Sequence, residues 1–147
     1  MKTSVVKLRH QIKGGDCKMP FVRVSYCEEK YTKKDLPLIS ENILNSLIEE
    51  FNVPPKDYFQ VFASHKKEEI FYDNNYLINK TRTDGVLYIQ ITCGSGRTME
   101  QKKALYMNIA DKLFINCKVP KENVFIMLIE TELEDWSFGE GIAQMIK

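Results

Sequence analysis

Two stretches of this chain carry the same landmarks 66 positions apart, and that offset dictates the architecture. Thr32 falls on Thr98, Leu47 on Leu113, Val53-Pro54 on Val119-Pro120, and Phe59 on Phe125. Each half, about 20–85 and 86–147, reads strand, helix, strand. A strand–helix–strand crossover joins parallel neighbours and is right-handed. Two in tandem predict an α+β fold: a four-stranded sheet with two helices on one face. With 147 residues, 44% of them hydrophobic, the chain can bury one core of this kind.

In the first half, FVRVSY (21–26) is a β-rich run. Thr32 predicts the N-cap of a helix near 33–51, with Ile39, Ile43 and Leu47 as its apolar stripe. Pro54 and Pro55 stop it. YFQVFAS (58–64) is the next strand, and EEIFYD (68–73) reads as a short extra one. In the second half, VLYIQIT (86–92) is nearly continuous in apolar and β-branched residues, as a central strand is. A Gly-Ser-Gly turn (94–96) follows, then Thr98 capping a helix near 99–116 with Leu105, Ile109 and Leu113 on one face. VFIMLIET (124–131) is the last long strand. Its apolar load, with that of 86–92, predicts that the sheet face without helices is covered by other subunits.

Charge and cysteine usage exclude several classes. A net charge of +1 with 28% charged residues argues against a dedicated nucleic-acid binder. No apolar run approaches the ~18 residues a membrane helix needs, so no membrane partner is expected. Cys17, Cys27, Cys93 and Cys117 are scattered, with no CxxC and no nearby histidine. Reduced thiols in the cytoplasm and no metal site follow.

The first eighteen residues differ from the rest. Five Lys/Arg against Asp16 give them +4, leaving −3 for the remainder. They lack the apolar core of a secretory signal. Lys13-Gly14-Gly15-Asp16 has codons compatible with AAA-GGA-GGT-GAT, a bacterial ribosome-binding site placed before Met19. The expectation is that 1–18 is a translated leader or a disordered arm, that Met19 is the start, and that 19–147 is a single domain. Methionine before proline is removed by the cell's aminopeptidase, which would leave Pro20 as a free secondary amine. Low dielectric and nearby cations would make that amine a general base, whereas a nearby carboxylate would hold it protonated as a general acid.

Four motifs then carry a resemblance: MPFVRVSY (19–26), VPPKDYFQV (53–61), GRTMEQKKALY (96–106) and DWSFGEGIAQ (135–144). Together they spread over 19–147. With the duplicated unit and the proline, they resemble the tautomerase superfamily (the 4-oxalocrotonate tautomerase-like fold), and within it the malonate semialdehyde decarboxylase-like group. The resemblance implies a homotrimer and catalysis by Pro20 without cofactor or metal. It implies that Asp57 lies beside Pro20, and that Trp136, Phe138 and Met145 line the pocket. Arg97 follows the Gly-Ser-Gly turn at a helix start, where a guanidinium can grip a carboxylate with two hydrogen bonds. The decarboxylase pattern has a second arginine where this chain has Ser95, which weakens carboxylate binding there.

The function expected is a cofactor-independent keto–enol isomerase of a small 2-oxo or enol carboxylate, with catalytic Pro20, Asp57 and Arg97. Substrate binding falls to Arg97, Ser95, Trp136, Phe138 and Met145. The alternative is a decarboxylase or hydratase using a cationic Pro20 and Asp57. A non-enzymatic trimer is expected if residues 1–18 stay attached, because Pro20 would then be a tertiary amide.

Overall fold

In the computed structural model, residues 19–146 are described; the expected leader or arm at 1–18 lies outside the described residues. Four strands, β1 (Phe21–Cys27), β2 (Phe59–His65), β3 (Leu87–Gly94) and β4 (Val124–Thr131), form one sheet in the order β2-β1-β3-β4. Helix α1 (Asp35–Phe51) joins β1 to β2, and α2 (Met99–Cys117) joins β3 to β4. Both crossover pairs are parallel, and the central pair β1–β3 is antiparallel. The duplicated unit read in the sequence is the fold. The run expected to be a central strand, β3, lies between β1 and β4.

Alternation assigns the two faces. Val22 and Val24 of β1 and Leu87, Ile89 and Ile91 of β3 point inward, against Ile39, Ile43, Leu47 and Phe51 of α1 and Leu105, Ile109 and Leu113 of α2. On the other face the register builds three rows across the sheet: Phe59–Phe21–Thr92–Ile129, Val61–Arg23–Gln90–Met127 and Ala63–Ser25–Tyr88–Phe125. Among the described residues no helix covers these rows; most of their apolar members sit on the two outer strands, with Phe21 on β1 and Tyr88 on β3 as the aromatic members nearer the centre.

The local signals held unequally. Thr98 accepts the Gln101 N–H at 3.1 Å and Gln101 reaches back to the Thr98 N–H at 2.9 Å, closing a capping box. Thr32 does not act as the expected acceptor. Its N–H and hydroxyl both donate to Asp35, at 2.7 and 3.1 Å, and α1 begins at Asp35. The stretch 68–73 is not a strand. Glu69 turns back to the Lys66 N–H at 2.8 Å, Lys67–Glu69 forms a 3-10 turn, and Phe71 projects into solvent. Both neighbours of β1 are already taken by β2 and β3, so this stretch has no place beside the central strands. Among the described residues, no helix is long and apolar enough to cross a membrane.

Candidate active site

Strand direction brings the expected residues to one edge of the sheet. Pro20 precedes β1, and Asp57 lies two residues before β2, which is parallel to it. Strands β3 and β4 run the other way and end at this edge with Gly94 and Thr131. The turn that follows β3 carries Ser95 and Arg97, and Glu132 follows β4. Across the edge, the order is Asp57, Pro20, Ser95, Glu132.

Met19 and Pro20 are both buried, and Met19 is fully so. Its backbone is left-handed, with φ 80°, a region that a side chain of this bulk seldom adopts. The Met19 N–H donates to Asp57 Oδ2 at 2.8 Å. The second carboxylate oxygen, Oδ1, is buried without a hydrogen-bond partner among the described residues. The sequence thus carries a carboxylate to within one residue of the Pro20 nitrogen. It gets there because Asp57 caps the short turn after Pro54, its own N–H donating to the Pro54 carbonyl at 3.0 Å.

Arg97 is only 9% exposed. It donates from Nη1 to the Gly94 carbonyl at 2.9 Å and from Nη2 to the Phe51 carbonyl at 3.3 Å, and its guanidinium lies 4.6 Å from the centre of the Phe51 ring. A cation on the last carbonyl of α1 also suits the negative end of that helix. The residue expected to grip a substrate therefore also ties the β3 turn to the end of α1.

The tail closes the edge from above. Trp136 Nε1 donates to Thr131 Oγ1 at 2.6 Å, and the Thr131 hydroxyl donates to the Cys93 carbonyl at 3.0 Å. Trp136 stacks on Phe138 with ring centres 5.7 Å apart, and Phe138 meets Phe59 at 5.6 Å. Thr131 stands on β4 and Phe59 on β2, with β3 and β1 between them. Three strand spacings amount to roughly 14 Å. Residues 131–138 therefore bridge the sheet from β4 to β2 near the start of β1, the strand that Pro20 precedes. Ser95 supports the same segment: its N–H donates to the Thr131 carbonyl at 2.9 Å and its hydroxyl to Glu132 Oε1 at 3.1 Å. Met145 is part-buried in the terminal turn.

Sequence reasoning picked out Trp136 and Phe138 but not their anchors, Thr131 and Phe59. The available signal was strand alternation: 125, 127, 129 and 131 share the open face with 59 and 61. Among the described residues no cluster of His, Cys, Asp and Glu could hold a metal ion.

Comparison with known proteins fits this edge. The sequence model of a family described as "Tautomerase enzyme" matches residues 57–139, from Asp57 through the aromatic bridge. The probable tautomerase YusQ of Bacillus subtilis (strain 168) is 48% identical over 129 residues, covering 88% of this chain and all of the relative. The chain belongs to the tautomerase family. Among solved structures, FG41 malonate semialdehyde decarboxylase inhibited by 3-bromopropiolate superposes with a TM-score of 0.78 at 27% identity, covering 84% of this chain and 92% of that one. A fused 4-OT symmetric trimer shares the fold at a TM-score of 0.69 and 12% identity, over 85% and 96% of the two chains.

Proposed function

We propose that this tautomerase interconverts the keto and enol forms of a small 2-oxo carboxylate, with Pro20 as general base at a free N-terminus. The observation that carries the reading is the Met19 N–H on Asp57, at the sheet edge that the aromatic bridge spans. Removing residues 1–19 turns the Pro20 nitrogen into a secondary amine and vacates the space that buried Met19 fills. The match to YusQ spans 129 residues, the length of 19–147, which supports this start. The amine takes the enol O–H proton and the resulting ammonium returns one to C3, so one proton moves from oxygen to carbon and no cofactor takes part. Arg97 holds the carboxylate with N–H groups whose plane is fixed by the Gly94 and Phe51 carbonyls. Ser95, Met145, Trp136 and Phe138 complete the binding site, and the aromatic wall strengthens charge interactions by excluding water. The apolar outer strands of the open face support a homotrimer; the cytoplasm is the proposed place of action, in keeping with the reduced thiols the scattered cysteines imply.

The test has two parts. Intact mass of the protein from its own cell should match residues 20–147. In a chain starting at Pro20, Pro20→Ala should slow enol ketonisation of a phenylpyruvate-type substrate by roughly 10²-fold or more, the usual worth of a general base. Unchanged turnover overturns the mechanism. A native mass that includes residues 1–18 leaves a tertiary amide at Pro20 and favours a non-enzymatic trimer.

A second reading is favoured by the same carboxylate. Asp57 beside the amine stabilises its cationic form. A cationic Pro20 would polarise the carbonyl of a 3-oxo acid, so that the C–C bond breaks, carbon dioxide leaves and the enol is protonated. The likeness to malonate semialdehyde decarboxylase supports this decarboxylase or hydratase alternative. A Pro20 titration below neutral selects the base, and one well above selects the acid.

A further inference from the structure

The sheet edge around Pro20 is bordered by carboxylates on both sides. Asp57 stands on the β2 side of Pro20. On the β4 side Glu132 is exposed, and it is held toward the β3 turn by the Ser95 hydroxyl at 3.1 Å. Its main chain is fixed as well, because the Glu132 N–H donates to Asp135 Oδ2 at 2.8 Å. Glu130 nearby is neutralised by Lys102, whereas Ser95 brings no charge to Glu132. Arg97, between these flanks, spends two N–H groups on the Gly94 and Phe51 carbonyls.

A substrate that reaches Pro20 extends along the sheet edge toward Asp57 or toward Glu132. One carboxylate can meet Arg97. A second, at the far end of a linear substrate, meets a like charge in either direction. We propose that Glu132, positioned by Ser95, is a specificity-determining residue that rejects dicarboxylates, so the site takes 2-oxo monocarboxylates with an uncharged, apolar or aromatic tail. The tail lies against Trp136, Phe138 and Phe59. The inference rests on the reading of the Pro20 edge as the active site.

The experiment compares two small anions on the chain beginning at Pro20: 3-phenylpropanoate, with one carboxylate, and adipate, with two. Neither can tautomerise. Dissociation constants come from NMR titration of the native chain and of Glu132→Gln. The native chain should prefer the monoanion. Glu132→Gln should shift the ratio toward adipate by about fivefold, the effect of one like charge roughly 4 Å away in high dielectric. Raising ionic strength should move the native ratio toward that of the variant, because exposed charges are screened. A role that merely holds the segment in shape would weaken both anions together and would ignore salt. A ratio unchanged by the substitution, or insensitive to salt in the native chain, overturns the proposal. If Pro20→Ala leaves ketonisation intact, the catalytic reading falls instead, and the adipate ratio still decides the role of Glu132.

Discussion

Asp57 gives one oxygen to the Met19 N–H and buries the other without a partner among the described residues. In a chain starting at Pro20 the group nearest that carboxylate is the terminal ammonium. An opposite charge favours the protonated amine and raises its pKa, so removing the charge lowers it. Asp57→Asn should therefore move the acidic limb of the tautomerisation pH–rate profile to lower pH by about one unit or more. A limb that stays in place would show that the charge does not reach the nitrogen. The placement of Pro20, Asp57 and Arg97 at one sheet edge was legible in the sequence, because each sits in a local motif beside a strand or helix end. The contact of Arg97 with the last carbonyl of α1 was not. It joins residues 46 positions apart, and no local pattern encodes that meeting. Phe59 stayed hidden for the same reason: Phe138 reaches it only across β3 and β1. Thr131 lies five residues from Trp136, but no sequence signal says that the tail folds back onto its own strand end.

At the level of elements, the two halves of the repeat solve their helix starts differently. The Thr98–Gln101 box could be read directly. In the other half the donor and acceptor exchange roles, because Asp35 is the acceptor within reach of Thr32. Within the long connection from β2 to β3, residues 68–73 were misread as a short strand, since their apolar residues say nothing about which strand they would pair with. The connection is held instead by side chains. The Tyr31 hydroxyl, in the β1–α1 connection, donates to the Gly85 carbonyl, and Asn123 pairs with Thr83 at 2.9 Å through both its amide atoms. Burial, followed by the charges of Asp35 and Asp84, pushes the Tyr31 phenol well above its ordinary value of 10.0. Unfolding exposes a phenol that ionises near 10 while the folded one stays neutral. The unfolded chain thus binds fewer protons above that pH, and stability falls as pH rises. Tyr31→Phe should lose about 1–2 kcal/mol at neutral pH, from the missing hydrogen bond and the orphaned carbonyl. It should also flatten the alkaline decline. Urea denaturation at pH 7 and at pH 10.5–11.5 checks both parts. An equal decline in the two proteins would assign the alkaline loss to other groups.

Among the described residues one sheet face carries no helix, and the pattern on it is graded. The outer strands carry Phe59 and Val61 on one side and Phe125, Met127 and Ile129 on the other, each between 36% and 47% exposed. The middle strands carry Arg23, Ser25, Gln90 and Thr92, with Phe21 and Tyr88 as their two aromatic members. Burying the remaining surface of each outer residue contributes on the order of 1 kcal/mol, which suits a contact weighted toward the margins of the face. The proposed homotrimer predicts a solution mass three times that of the chain. Met127→Glu together with Ile129→Glu should reduce it to the monomer, as light scattering after size exclusion would report. A trimer that survives both substitutions would place the interface elsewhere. Activity should follow assembly through the aromatic bridge. Phe138 rests on Phe59, which belongs to the same open face. A neighbouring copy that packs against the margin beside Phe59 would restrain the far end of the bridge, which in an isolated chain rests on that one ring contact while Thr131 and Ser95 hold the near end. Diluting the native protein through its dissociation range should then raise KM for the enol more than it lowers kcat. The base stays in place, and it is the wall over the substrate that loosens. A kcat that collapses while KM holds would instead mean that assembly supplies a reacting group from a second chain.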